Sequence, residues 1–434
     1  MNNYWDATTG IGVTDHGILA DDDQCDVAII GGGYTGLSAA LHLARDHGID
    51  ARVLEADTIG SGASGRNGGF CCLGSHKMPY QTQIRRFGVE AARDFMMAQC
   101  AAVELVAELI DAEGMEVDRT GDGETLVAHR GSRVQELIAE RDILKGVFGI
   151  KGCLQGCEEL RERGLGGPIQ HGGLHIPIGF ALHPGKYVRS LANAALHHGA
   201  RIHTRTPVSG WEHNGSRHQL ITEEGTMTAE RVLIATNGYT SEQLFSPVRG
   251  ALLRANACAL TTRPLSRDEL AAEGWHSHDM VFDTKNLLNW FRLLPDGRMI
   301  FGGRGGFDYS DAGHERDRAR LQHQFARAFP AWAQLPVTHA WTGFVCLALD
   351  RLPHLGPVGA PGSGVYAALA YHGNGVAAAT WSGRAMARLI AAGKDAARIP
   401  AIMTQRLKRF PLRALRPWYL RGAYLAFGLR DRLP

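Results

Sequence analysis

The segment Asp26–Glu55 constrains this chain more than any other, because it spells out a strand–helix–strand unit around a glycine-rich turn. Val27, Ala28, Ile29 and Ile30 form an apolar run suited to a buried parallel strand, and Gly31, Gly33 and Gly36 follow in G-x-G-x-x-G spacing. The first glycine permits the tight turn and the second lets backbone approach a pyrophosphate. The third allows the helix to pack closely on the strand. A helix is expected over Thr35–His47, with Leu37, Leu41 and Ala44 at helical spacing and Gly48 as its stop. Ala51–Leu54 returns as the second strand. The phosphates are expected at the helix N-terminus, beside Tyr34 and Thr35. Glu55, 19 residues after Gly36 and followed by Ala56, is placed to accept hydrogen bonds from ribose hydroxyls. The same acid would repel a 2′-phosphate and no arginine follows it directly, which disfavours NADP.

The next segment, Gly60–Phe70 (GSGASGRNGGF), is too rich in glycine and serine for a core strand. It reads as backbone pressed against a ligand, with Ser64, Arg66, Asn67 and Gly68 as the contacting residues. A flexible surface loop is the plain alternative.

These stretches, GGGYTGLSAA, ARVLEAD and GASGRNGGF, resemble the D-amino acid oxidase and glycine oxidase superfamily of FAD enzymes, and within it the γ-glutamylputrescine oxidase branch. The likeness continues through GFALHPGKYVRSLANAALHHGARIH, RVLIATNGYT, FRLLPDGRMIFGGR and the closing YHGNGVAAATWSGRAMARLI, so it spans about residues 25–392. The resemblance implies FAD, expected to be non-covalent because the spacing of Cys346 to Asp350 does not match a flavin-attachment pattern. It implies an α/β fold in which a Rossmann-like FAD-binding domain of glutathione-reductase type is interleaved with a substrate domain built on a mixed or antiparallel sheet. It places Val208, Thr236, Asn237 and Gly238 near the cofactor, and it puts Gly373, Asn374, Gly375 and Val376 at a helix start facing the flavin.

Length and composition agree with two domains: 434 residues, 44% of them hydrophobic, suffice for two cores. The expected division gives residues 1–79, 154–245 and 342–400 to the FAD-binding domain and 80–153 and 246–341 to the substrate domain, leaving 401–434 as a tail. Between the domains' strands, Ala91–Ala112 is amphipathic and helical, Glu124–His129 is strand-like, and a helical hairpin is expected after it. Short strands are expected over Leu252–Ile300, with Pro295-Asp296-Gly297 as a hairpin turn. A formal net charge of +2 gives no reason to expect a nucleic-acid partner. Eight cysteines without C-x-x-C or metal spacing suggest a reduced, cytoplasmic compartment and no metal. No signal-like or membrane-spanning apolar run is seen.

The reading of the chemistry is FAD-dependent oxidation of an amine CH–NH or CH–NH2 bond to an imine, which then hydrolyses to a carbonyl compound and an amine or ammonia. O2 or a quinone-type carrier would reoxidise the flavin. Tyr371 and His372, just before the closing helix, either line the pocket or are satisfied in the core. In glycine-oxidase-like enzymes the segment W-x-G-x-R-P supplies an arginine that clamps the substrate carboxylate. Here Trp341-Thr342-Gly343-Phe344 continues into Val345-Cys346, which disfavours an α-amino acid. The alternative is an amino-acid oxidase whose clamp has moved, with Arg292 as the candidate against an ordinary strand arginine. His183 and Trp341 are further pocket candidates. Cys346 is read as a buried thiol rather than a flavin attachment point. A reading of another class is a flavin-binding protein without turnover.

The tail from Ala401 mixes Arg406, Lys408, Arg409, Arg413, Arg416, Arg421, Arg430 and Arg432 with Phe410, Trp418, Tyr419, Tyr424 and Phe427. It either packs back across the domains or makes weak contact with an anionic membrane.

Overall fold

The computed structural model describes residues 3–431 apart from 75, 168–169, 216 and 413–414. Arg413 and Arg432 of the tail therefore lie outside the described residues.

The first sheet grows from the apolar run noted above. Asp23–Ile30 pairs in parallel with Ala51–Leu54 on one side and Thr226–Ile234 on the other. Arg201–His203 extends the sheet beyond Ala51–Leu54, and Val365–Leu369 followed by antiparallel His354–Pro357 extends it the other way. Val27, Ala28 and Ile29 are wholly buried, as a central parallel strand covered on both faces requires. The helix begins one residue before expectation, at Tyr34, and ends at His47, with Gly48 left-handed at its C-cap. It packs against the closing helix Val376–Ala392. Gly383 makes this approach possible, since a Cβ there would sit 2.6 Å from the Ser38 Cβ. Ser38 Oγ donates across the contact to the Thr380 carbonyl at 2.6 Å.

The second sheet runs Val337–Ala348, Leu252–Pro264, Arg298–Arg304, Trp290–Leu293, Met280–Asp283, Glu124–Val127, Gly173–Ile176, Cys153–Gln155. It is antiparallel except where Met280–Asp283 meets Glu124–Val127. Alternation divides its faces. Phe291, Leu293, Met299 and Phe301 turn to a core closed by Leu321 and Phe325 of the helix Asp311–Ala328. Trp290, Arg292, Ile300 and Trp341 turn the other way, toward the first domain's loops.

Several sequence expectations need correction. Residues 342–348 belong to the second sheet, because Val337–Ala348 forms a long ladder with Leu252–Pro264, from Thr262 opposite Val337 to Leu252 opposite Ala348. Gly173–Ile176, expected within the first domain, also pairs into the second sheet, through Glu124–Val127. Leu252–Pro264, at 13 residues, is longer than the short strands expected over Leu252–Ile300. The helical hairpin after residue 129 is one helix, Val134–Phe148, followed by a strand and the short helix Cys157–Glu162. Each of these differences arises from pairing between distant segments, which local periodicity does not record.

Candidate active site

The glycine turn has the geometry that a bound dinucleotide needs. Gly31 lies at φ +109°, where a Cβ would come 3.0 Å from the Ala235 carbonyl oxygen. A Cβ on Gly36 would overlap the Gly31 carbonyl oxygen, and one on Gly33 would meet Ser64 Oγ at 2.8 Å. Gly33 caps a helix whose first amides have no side-chain acceptor from the cap. The Tyr34 amide donates to Ser64 Oγ at 3.0 Å, which ties the turn to the glycine–serine loop. The side chains of Tyr34 and Thr35 point into the helix packing: Tyr34 Oη donates to the Pro184 carbonyl, and Thr35 Oγ1 pairs with Tyr371 Oη at 2.9 Å. At the end of the second strand, Glu55 accepts from the Gly32 amide at 2.6 Å and the Asp57 amide at 3.0 Å. Burial pushes its pKa up, while these amides pull it back by holding the charged form. Ala56 beside it is exposed. The Thr206 amide donates to the Glu55 carbonyl, so the run Thr206–Val208 passes alongside. A turn closed to any side chain, a helix start whose cap residue offers no side chain and a carboxylate at the strand end together fit an adenine dinucleotide.

The glycine–serine loop is fixed, not flexible. Asn67 Nδ2 donates to the Ala63 and Ser64 carbonyls and its Oδ1 accepts from the Gly69 amide at 2.8 Å. Arg66 donates to the Ser61 and Thr342 carbonyls. Trp341 Nε1 donates to the Arg66 carbonyl at 2.8 Å, so this residue braces the loop rather than opening a pocket. Gly68 carries Trp290 directly above it, with a hypothetical Cβ only 2.6 Å from the indole.

Arg292 corrects a sequence expectation. It is 1% exposed, donating from Nε to the Gly68 carbonyl at 3.1 Å and from Nη2 to the Leu182 carbonyl at 2.6 Å. Burial pushes its guanidinium down to about 10. Its Nη1 has no protein partner and borders a cavity of about 10 Å³, room for about one water. A substrate carboxylate does not fit there. His183 is likewise structural: its Nδ1 accepts from the Lys186 amide at 3.1 Å, capping the helix Pro184–His197, and its Nε2 meets Thr8 Oγ1 at 3.0 Å. An accepting Nδ1 makes Nε2 the protonated nitrogen, and burial holds the ring neutral, down to about 4.

The closing turn gathers strained backbone. Asn237 (φ +44°), Ala370 (φ +68°) and His372 (φ +55°) are all left-handed without being glycine. Asn237 Oδ1 accepts from the Ala370 amide at 2.9 Å, Thr236 Oγ1 pairs with Thr240 Oγ1, and a Cβ on Gly238 would touch Phe344 at 3.1 Å. Gly373 lies at φ +98°, and Gly375 caps the helix that Val376 begins. Asn374 Nδ2 reaches across to the Leu73 carbonyl and the Cys72 sulfur. Tyr371 and His372 both take the core alternative. The Tyr371 hydroxyl is pushed up to about 12 by burial. His372 Nε2 faces the Leu352 carbonyl at 3.2 Å, and burial drives its ring down to about 3. Cys346 is buried, its thiol pushed up to about 12.

Sequence reasoning missed the N-terminal helix Tyr4–Thr8. Trp5 donates from Nε1 to the Asn67 carbonyl at 2.8 Å, and the Arg292 guanidinium lies over its ring. It also missed Trp290. Gly302, opposite Trp290 in the ladder, was the available signal, since a strand glycine marks the close approach of something large. The helix Arg416–Arg430 packs back: Arg416 pairs with Glu242, Asp431 accepts from the Asn286 and Leu287 amides, and Tyr424 stacks near Phe307.

The fold and this cradle define a flavin-type dinucleotide enzyme. The family model described as FAD dependent oxidoreductase (DAO) matches residues 26–389, and the chain belongs to that family. It is an FAD-dependent oxidoreductase. It is 30% identical over 424 residues to gamma-glutamylputrescine oxidoreductase of Escherichia coli, covering 96% of this chain and 95% of that protein. It is 32% identical over 385 residues to the probable oxidoreductase OrdL of Rhizobium meliloti, covering 87% and 85%. Among solved structures, glycine oxidase from Geobacillus kaustophilus superposes with a TM-score of 0.71 at 22% identity, over 89% of this chain and all but 1% of that one. At that identity the likeness concerns the fold.

Proposed function

We propose that this enzyme oxidises the CH–NH bond of an amine to an imine, which hydrolyses to a carbonyl compound and an amine or ammonia. The observation that carries the reading is Val345. It occupies the place where the glycine-oxidase pattern has its carboxylate-clamping arginine, and its methyl carbons come within 3.8 Å of a hypothetical Cβ on Gly373. An α-carboxylate at that turn would meet apolar surface and lose its solvation unpaired. Arg292 does not replace the clamp, because two of its nitrogens already serve buried carbonyls. The extended likeness to an enzyme named for gamma-glutamylputrescine supports an amine over an amino acid.

FAD, when bound, takes the hydride equivalent and supplies the chemistry. Gly31, Gly33, Gly36 and the first amides after them would hold its pyrophosphate, and Glu55 its ribose. Ser64, Arg66, Asn67 and Gly68 would brace the loop that contacts it. The Gly373–Val376 amides would face the negative charge of the reduced ring. The buried Cys346 thiol suits non-covalent binding. Anaerobic mixing with polyamines, γ-glutamylated amines and D- or L-amino acids tests the reading: amines should bleach absorbance near 450 nm, and bleaching by α-amino acids alone would overturn it.

A second reading concerns the acceptor. Helix Arg416–Arg430 leaves Trp418, Leu425 and Leu429 at 63%, 71% and 60% exposure beside Arg421, among side chains with no acid between them. This surface supports docking on an anionic bilayer, where a quinone rather than O2 would take the electrons. No helix among the described residues is long and apolar enough to cross a membrane. The free cysteines support a reducing compartment.

A further inference from the structure

The second sheet turns a distinctive row of side chains toward the first domain. Pairing sets Phe282 beside Trp290 on one flank and Leu126 on the other, and Met280 beside Glu124 two residues along. By alternation all five share one face. Trp290, Phe282 and Leu126 are only half-buried, so the face forms an apolar floor that is partly open to solvent.

Glu124 ends that floor. It is 3% exposed, and its Oε2 has no hydrogen-bond partner. A buried carboxylate oxygen without a donor is costly and is unusual in a native protein unless something else completes it. The carboxyl stands where both proposed flavin segments meet. The Cys72 thiol and Leu73 amide, just after the glycine–serine loop, approach it, and Asn374 of the closing turn donates to that same stretch. Glu140, half-buried on the helix Val134–Phe148, adds a second negative group nearby.

We propose that Glu124 binds the cationic nitrogen of the substrate and takes up its proton, leaving the neutral amine that is oxidised, with its alkyl part laid over Leu126, Phe282 and Trp290. This deepens the amine-oxidation reading and rests on it. An ammonium supplies the donor that Oε2 lacks and offsets the repulsion from Glu140. A substrate carboxylate brought to the same place would be repelled, which reinforces the effect of Val345. Burial and the charge of Glu140 push Glu124 up to about 8, and burial pushes Glu140 up to about 7. Cys72 from the loop, Tyr80 from the helix Tyr80–Phe87, Cys100 from Val89–Ala112 and Glu140 are the titratable groups packed around the site. These four are neutral or anionic there; Lys77, whose charge is felt at Cys72, is the nearby base, and His76 against Tyr80 is held neutral by burial.

The test uses FAD-loaded enzyme and tert-butylammonium, which has no hydrogen on the carbon bearing nitrogen and so cannot be oxidised. Binding is read as a perturbation of the flavin spectrum. A cation needs the ionised acid, so wild-type affinity should rise about tenfold per pH unit from about pH 6 and level off near pH 8. Glu124→Gln should bind roughly 30-fold more weakly at high pH, with a flat profile, and should raise the amine KM by a similar factor. Equal binding by tert-butanol, a flat wild-type profile, or an unchanged Glu124→Gln constant each overturns the proposal. If the variant fails to hold FAD, the wild-type profile and the tert-butanol comparison decide alone. Amines that bleach wild type and Glu124→Gln alike would sink the role of Glu124 and leave amine oxidation standing. Failure of every amine to bleach wild type would sink the broader reading.

Discussion

Two carboxylates, the half-buried Glu55 and the buried Glu124, show how differently the two halves of the molecule are built. Glu55 sits at the end of a strand whose partner strand, turn and helix all lie within about thirty residues of it, and two backbone amides hold its oxygens. Glu124 sits in a sheet assembled from segments between residues 124 and 348, and one of its oxygens has no protein partner at all. The first carboxylate is completed by local backbone and is proposed to serve the cofactor. The second lacks a protein donor on one oxygen and is proposed to meet the substrate.

The sharpest way to break this comparison is at the local half. Gly36→Val puts a side chain into the Gly31 carbonyl, so the turn cannot keep its shape. Purified protein should lose essentially all FAD, an effect of roughly 4 kcal/mol or more on binding if the apparent affinity falls about a thousandfold. The flavin-to-protein absorbance ratio measures it. Retention of stoichiometric FAD would mean that the cradle is not here.

Next in size is Arg292. Arg292→Met leaves the Gly68 and Leu182 carbonyls without their charged donor. Hydrogen bonds to charged groups contribute about 1.5–3 kcal/mol each, so a loss of about 3–5 kcal/mol is expected. Thermal unfolding should show the loss in full, with FAD affinity falling too, because the loop bearing Asn67 and Gly68 is released. A variant with wild-type stability but a greatly raised KM would instead restore Arg292 as a substrate clamp.

The unequal legibility of the two halves has a physical cause. Gly31, Gly33, Gly36 and Glu55 were readable because the constraint on each, a turn, a close approach or a carboxylate at a strand end, is expressed within one strand–helix–strand unit. Trp341 and His183 were readable as important but not in role. A tryptophan that braces Arg66 and a histidine that caps a helix look, in sequence, like pocket residues, since both are polar-tipped groups set in apolar surroundings. Arg292 misled for the same reason: an arginine on a strand carries no mark saying whether it meets a ligand or two carbonyls. Glu124 was not singled out because its significance lies in what surrounds it. Residues 342–348 were assigned to the wrong domain because their antiparallel pairing with Leu252–Thr262, across some eighty residues, leaves no local signature.

Smaller effects come from pH, and they separate the halves again. His42, His183, His203 and His372 are each under a tenth exposed, with burial lowering the first three to about 4 and His372 to about 3. Between their folded values and about 6.5 the unfolded chain binds protons that the native state does not, so stability rises with pH through that window. Glu124 and Glu140 act with the opposite sign: raised to about 8 and about 7, they favour the native state at low pH and that contribution is lost as pH rises toward those values. Below about 6.5 four imidazoles outweigh two carboxyls, and above it only the carboxyls remain. The melting temperature should therefore peak near pH 6.5. His372→Asn should flatten the acid side by up to ~1.4 kcal/mol per pH unit and leave the pH profile of turnover between 6 and 9 unmoved. A shifted turnover profile would return His372 to the substrate site.

The smallest effect is expected at the helix Arg416–Arg430, where the outer face can be changed without touching the contacts that dock it. Trp418→Ala with Leu425→Ala removes two side chains that are 63% and 71% exposed, so stability should change by less than about 0.5 kcal/mol. Arg416→Ala, by contrast, breaks the pair with Glu242 and the bond to the Leu252 carbonyl, and should cost about 1–2 kcal/mol. Flotation with anionic liposomes at low salt then gives the difference its meaning. Wild type floating while the double variant stays at the bottom would make the outer face a membrane contact and favour a quinone acceptor. Both staying at the bottom would reduce this helix to a strap across the two halves and leave O2 as the acceptor to test, by the rate at which bleached flavin recovers in air.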